Sequence, residues 1–506
     1  MDSMNEEPLP GAAGDHIDSG LLRIAGVVLL GSFMSILDTT IVNVALKSLS
    51  KDFSSSLATI QWVSTGYMLA LATVIPLSGW AADRFGTKRL YIAAITLFLA
   101  GSALAAAAWS INTLILFRVL QGLGGGMIMP AGMTILSQAA GPRRMGRVMG
   151  MVGVPMLMGP IIGPILGGWL VDDASWRWIF LVNVPVGCVA ILAAARILRT
   201  DEPKPQHALD WTGFALLSPG LAIFVYGLAK IASDGGFNSA SSVATFLIGL
   251  ALLAGFVFHS RSNDAPLIDI RLFARRNVGA AAMTSFLFST AFASISLLMP
   301  LYFQVARDQS ALHAGSLLAA QGIGAVLTMP IASRLTDKIG PTKIVLTGLL
   351  MFAIGLFGLT QIKSTTSFPY IETILFITGM GMGSTMMPAM SAAMSTLRRH
   401  EVARATSGLN VLQRVGGSIG TALIAVALTH QLAHLMPGAA NNGGGLAAIS
   451  SIAAHGQGMM APIVDAAFGQ TFRWPLAIVL LAMITAFFIP RGRPAVGASP
   501  PHVMTE

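Results

Sequence analysis

Asp38 stands in the middle of a long apolar stretch, and no other carboxylate of the 22 Asp and Glu occupies such a place in the spans predicted below. An ionisable group there is costly unless it faces a protein interior or a watery cavity. Desolvation and a nearby cation push a carboxylate's proton affinity in opposite directions, so a group whose surroundings alternate can load and release a proton. Arg118, within a second apolar stretch, supplies the balancing charge, with Gln121, Gly122 and Gly125 on the same helical face. A buried guanidinium needs an anion or several carbonyls around it. Asp38 and Arg118 are therefore candidates for proton or cation coupling, the alternative being hydrogen bonding and bracing with no transport role.

Asn410, Gln413, Arg414 and Gly417 recur at i, i+3, i+4 and i+7, one polar stripe on an otherwise apolar helix. With Gln121 this stripe is expected to line a substrate cavity, although interhelical hydrogen bonding is a common use of such residues in membranes. Gly159, Gly163 and Gly167, followed by Gly168, form a small-residue face that admits a neighbouring helix, and Pro160 and Pro164 are expected to bend it. Asp83 and Arg84, between Gly79 and Gly86 and ahead of Lys88, fall at a helix end. Ion pairing there can latch one conformation; the alternative is a solvated loop that only anchors topology.

Other features carry no chemistry. The run Gly122 to Gly126 lies inside an apolar stretch with no phosphate-binding loop around it. His430 and His434 lack a third ligand, so no metal site is expected. Cys188 is the only cysteine and reads as a packing residue. No cofactor is implied.

These residues must be positioned by membrane spans. Of the 506 residues 54% are hydrophobic and 10% charged, a balance no soluble fold tolerates. Stretches long enough to cross a bilayer run at 21–46, 57–82, 90–108, 112–139, 146–171, 177–198, 211–230, 242–259, 278–303, 313–334, 342–360, 370–396, 402–430 and 473–490. The fold expected is an all-α polytopic membrane protein with fourteen transmembrane helices. Lys and Arg alternate by loop, with roughly threefold more on one side than the other, which places both termini in the cytoplasm. The basic balance is thus topological, and no nucleic-acid partner is expected. Residues 1–20 are acidic and read as a cytoplasmic tail rather than a cleaved signal, and 491–506 form a second tail.

The chain repeats itself. Met129-Pro130-Ala131 recurs as Met387-Pro388-Ala389, and the Asp83 to Lys88 segment recurs as Asp337 to Lys343. These matches pair a six-helix bundle at 21–198 with another at 278–490, leaving 199–277 as a linker with two extra helices. The second bundle includes a long outside loop, 431–472.

Five motifs resemble the major facilitator superfamily, in its fourteen-span drug:proton antiporter branch of the EmrB/QacA type. They are Leu37 to Leu46, with Lys47 in place of the usual proline; Gly79 to Arg89, with Ala81 and Thr87 in place of Leu and Arg; Arg118 to Gly122; Gly159 to Gly168; and Trp176 to Phe180 through Asn183-Val184-Pro185. The resemblance implies two bundles rocking about a central cavity. It also implies proton-coupled export of hydrophobic or amphipathic small molecules from the inner (plasma) membrane. A dedicated exporter of one endogenous metabolite or lipid-like compound is the alternative. Small-molecule substrate, protons and the lipid bilayer are the expected partners; a periplasmic or envelope partner is left open.

Overall fold

The computed structural model describes residues 19–489 apart from 56, 201–207, 235, 238, 264–265, 308, 310, 395–396, 398–400 and 436–456. The expected tails, save residues 19 and 20, and the middle of the 431–472 loop lie outside the described residues. Among the described residues every regular element is a helix and none is a strand.

Helix α1 (Ser19–Asp52) carries Asp38. The second span is broken: α2 (Leu57–Val74) and α3 (Leu77–Phe85) meet at a bend of 56°. Pro76 lies at the break, where it has no N–H to continue the ladder and its ring crowds the preceding turn. Gly86 follows at φ 86° and ψ 149°, a conformation that strains any residue with a Cβ, and α4 (Thr87–Ala106) begins at once.

Next comes α5 (Ile111–Asp173), started by a reciprocal cap between Ser110 and Thr113. Its 63 residues would extend about 95 Å if straight. Yet Arg118 near its start bonds to Asp38, while Gly163 near its end lies against Thr40. The element therefore turns back on itself and passes α1 twice. The break expected between the spans at 112–139 and 146–171 is continuous helical backbone.

The short α6 (Trp178–Leu181) and α7 (Asn183–Ile197) make one span. Then come α8 (Trp211–Ser233), capped by Asp210 at 2.9 Å from the Gly213 N–H, and α9 (Ala240–Ser262). A turn of helix, α10 (Arg271–Ala274), leads into α11 (Arg276–Leu301), which ends in a π-helical turn at Tyr302–Ala306. After α12 (Ala311–Ile339), Gly340 adopts φ 87° and ψ 158°, and α13 (Pro341–Leu359) starts. Gly86 and Gly340 thus have the same backbone conformation at matched places of the repeat.

The chain finishes with α14 (Phe368–Met394), α15 (Val402–Leu435), α16 (Gln457–Thr471) and α17 (Arg473–Ala486). Among the described residues, eleven helices are long and apolar enough to cross a membrane, or twelve if the bent α2–α3 pair is one span. The last of them is Val464–Ala486, so helix begins well before residue 473 and takes in the end of the expected outside loop.

Packing follows the repeat. In the first half α5 packs against α1, α2 and α4, and α7 packs on α1 and α4. In the second half α14 packs against α12 and α13, while α11 lies against α15 and α17. Helices α8 and α9 pack on each other, and α8 touches both α2 and α15.

Candidate functional site

Asp38 is fully buried, and three donors converge on its two oxygens. Arg118 Nη1 donates to Oδ2 at 2.6 Å, and Oδ1 accepts from Gln121 Nε2 at 2.9 Å and Asn183 Nδ2 at 3.0 Å. This is the hydrogen-bonding pattern of an ionised carboxylate, which has only acceptors to offer. Arg118 Nη1 also donates to Gln121 Oε1 at 2.7 Å, and its Nε reaches the Val63 carbonyl at 3.3 Å. The guanidinium carbon sits 4.0 Å from the centre of the Tyr67 ring and 5.6 Å from that of Phe180. Asn183 donates further to Ser102 Oγ at 3.1 Å, which donates to the Phe180 carbonyl at 2.9 Å.

The cluster thus draws on α1, α2, α4, α5, α6 and α7, and its close fit explains nearby small residues. A Cβ on Gly101 would stand 2.6 Å from the Gln121 backbone. Gln121 is the pivot: its oxygen accepts from the cation and its nitrogen donates to the carboxylate. If Asp38 took up a proton, Gln121 and Tyr67 would still hold Arg118 in place.

Gln121 was expected in a substrate cavity; it is buried in the charge cluster instead. The α15 stripe stands apart from that cluster. Asn410 Nδ2 donates to its own helix at Thr406 O, 2.8 Å away. Gln413 borders a cavity of about 30 Å³ with Ser285, Phe288, Ser289 and Phe292 of α11 and Thr385, Met386 and Ala389 of α14. Arg414 lies deep among the helices with its side chain open to an internal space, makes no hydrogen bond or ion pair among the described residues, and lies within electrostatic reach of Tyr67 on α2. The Tyr67 hydroxyl is buried near Ser35 without closing a hydrogen bond. Tyr67 therefore stands between the Asp38 cluster and the second half.

The glycine face presses on α1 beside Asp38. A Cβ on Gly159 would stand 2.5 Å from Ile36 Cγ2, one on Gly163 would overlap Thr40 Oγ1, and one on Gly167 would stand 2.8 Å from Ile41 Cγ1. Thr40 Oγ1 also donates to the Gly159 carbonyl at 3.3 Å. Gly168 has open space beside it and takes no part. The Pro160 and Pro164 side chains lie outside the described residues.

At the far end of α3, Asp83 Oδ2 lies 3.4 Å from Arg404 Nε on α15. One turn and a half earlier Ser78 Oγ meets Ser407 Oγ at 2.8 Å, both buried. Gly79 is buried, Arg84 is exposed, and Gly86 supplies the positive φ. Lys88 Nζ donates to the Ala195 and Leu198 carbonyls, each at 2.7 Å, tying α4 to the end of α7. Beside Arg404, Glu401 holds Arg275 through two bonds of 2.7 and 3.0 Å.

Sequence reasoning placed Asn183 in a motif without giving it a role, and it missed Ser102, Tyr67 and Asp465. Asn183 carries a readable signal, a carboxamide in an apolar span. Tyr67 and Ser102 carry none. Asp465 was passed over because the last span was started too late; it is buried, with Oδ2 accepting from the Ser364 N–H and Oδ1 lacking a partner among the described residues.

Comparison with known proteins agrees with the fold. The sequence profile of the Major Facilitator Superfamily matches residues 28–421. The multidrug resistance protein B homolog of Mycobacterium tuberculosis is 48% identical over 423 residues, covering 83% of this chain and 78% of that one. The multidrug export protein EmrB of Haemophilus influenzae is 31% identical over 411 residues, covering 80% of each. Among solved structures, a double Trp mutant of XylE aligns with a TM-score of 0.60 at 15% identity, covering 94% of this chain and 97% of that one. The human organic anion transporter MFSD10 aligns with a TM-score of 0.58 at 15% identity, covering 91% and 99%. The chain belongs to the major facilitator superfamily and, within it, to the branch of its EmrB-type relatives.

Proposed function

We propose that this transporter is a proton-coupled antiporter that exports hydrophobic or amphipathic small molecules by alternating access. The observation that carries the reading is the Asp38 cluster: a buried carboxylate, held by one cation and two carboxamides, on a helix flanked by the tightly packed Gly159–Gly163–Gly167 face. Uphill export needs a group that binds a proton in one conformation and releases it in another, and Gln121 gives Arg118 a partner in both. The names of the relatives, multidrug resistance protein B homolog and EmrB, support the substrate class. The guanidinium of Arg414 and the amides of Asn410 and Gln413 are the polar groups offered to substrate by the second half.

Fourteen spans fit this reading. The second passage of α5 along α1 and the 27-residue α14 within the second bundle add two to the twelve helices already long and apolar enough. The basic residues at the α3–α4 and α12–α13 ends favour cytoplasmic termini in the inner (plasma) membrane, with Asp83–Arg404 as a latch on the cytoplasmic side. The deciding experiment uses purified protein in liposomes under an imposed pH gradient, with proton and substrate fluxes followed across a panel of compounds. Saturable countertransport of several unrelated amphipathic compounds is expected. Flux of a single compound, or flux without proton movement, would overturn the proposal.

A further inference from the structure

A cavity of about 610 Å³ opens among the ends of α1, α4 and α7 and the middle of α5, on the side that carries Lys88. Five cationic side chains line it: Arg23, Lys88, Arg144, Arg196 and Arg199, with no carboxylate among the described lining residues. Lys88 is committed to the α7 carbonyls, and Arg144 Nε donates to the Ala140 carbonyl at 3.2 Å. Arg23, Arg196 and Arg199 are exposed and make no hydrogen bond or ion pair among the described residues. The first turns of α1 and α4 also border the cavity, at Gly20 and Thr87, adding the positive ends of two helix dipoles.

A bias of basic residues toward one membrane face explains the sign of these charges but not their convergence. The cavity at the opposite end of the second half shows the contrast: it has about 510 Å³, and Asp465 joins Lys363 and Arg473 in its lining. Around the first cavity the local field is left for something else to neutralise. We propose that it binds the phosphate of an anionic phospholipid headgroup. Three of its walls are the ends of the apolar helices α1, α4 and α7, its volume suits a small ligand, and guanidinium forks match phosphate oxygens. This inference needs only that the chain spans a membrane, so it stands or falls apart from the antiport reading.

The test uses the full chain, purified in detergent, titrated with fluorescent phosphatidylglycerol and with phosphatidylcholine in mixed micelles. Wild type is expected to prefer phosphatidylglycerol, and Arg196→Gln/Arg199→Gln with Arg23→Gln is expected to lose on the order of tenfold or more of that affinity. Thermal melting of each variant shows that the fold persists, and Arg196→Gln alone gives a milder form of the same loss. The control Arg334→Gln/Lys343→Gln removes two exposed charges near the paired α12–α13 turn and should bind as wild type does. Equal loss in both variants would reduce the cavity to general surface charge and overturn the proposal. Competition by inorganic phosphate as effective as the lipid's would move the ligand from the membrane to solution and overturn the lipid assignment. A chain lacking residues 2–18, which carry Asp2, Glu6, Glu7, Asp15 and Asp18, should bind unchanged; a large gain would give the cavity to that acidic tail instead.

Discussion

Asp83 on α3 and Arg404 on α15 form an ion pair 3.4 Å long between the two halves of the molecule. Both side chains are partly exposed, so the pair contributes about 0.2–1 kcal/mol. That is enough to shift a two-state equilibrium severalfold without fixing it. Asp83→Asn and Arg404→Gln should each lower the maximal transport rate a few-fold with little change in substrate KM. The charge swap Asp83→Arg/Arg404→Asp should recover part of the loss, measured in proteoliposomes. Normal rates in both single variants would make the segment a topology anchor only.

Asp38→Asn keeps the shape of the side chain and loses the titration. Its amide would also face the donors of Gln121 and Asn183, a mismatch worth about 1–3 kcal/mol if unrelieved. The expected outcome is a folded protein with a lowered Tm that binds substrate but shows no substrate-evoked proton movement. Undiminished coupled exchange would send the search to another acid, with Glu372 and the buried Asp465 next in line.

Arg118→Lys should uncouple transport as well. An ammonium cannot reach Asp38, Gln121 and the Val63 carbonyl together while lying flat on Tyr67. Transport measured against the pH gradient should fall by at least about tenfold if the guanidinium fork is the organising element. Retention of coupling would show that charge alone suffices.

Tyr67 separates two roles in one residue. Tyr67→Phe removes a hydroxyl that satisfies nothing, so thermal stability should stay within about 0.5 kcal/mol of wild type. Any fall in coupling would then report the hydroxyl's part between the Asp38 cluster and Arg414. Tyr67→Leu removes the ring under Arg118 and should cost on the order of 2 kcal/mol.

Gly163→Ala and Gly168→Ala should differ sharply. The first places a methyl into Thr40, two residues from Asp38, and overpacking of this kind costs about 1–3 kcal/mol. The second points into open space. Melting temperatures of the two variants in one detergent test this directly, and equal effects would show that α1 and the end of α5 do not pack as described.

The charge cluster was legible because charge inside an apolar span is rare: Asp38 and Arg118 announce themselves without any structure. Their partners were less so. Gln121 was read as cavity lining because a carboxamide on a helix face does not show which neighbour it meets, and Ser102 blends with many other serines. The Asp83 segment was legible as a helix end, but its partner Arg404 is more than three hundred residues away, beyond any periodicity. The glycine repeat at 159, 163 and 167 revealed a close approach without naming α1. Span boundaries failed where hydropathy is diluted: α16 mixes polar and small residues, so the last membrane helix was started too late.

The α8–α9 pair grips its neighbours unequally. Toward α15 it offers a greasy seat of Phe224 and Leu228 against Ala422, with Val415 and Ile419 at the margin. Toward α2 it offers one tilted aromatic pair, Trp62 with Tyr226, whose rings are 5.8 Å apart. In the proposed alternating-access cycle the firmer seat would carry the pair along with the second half, and the lighter contact with α2 would be the one that slides. The two added helices would then travel with α15 rather than with α2.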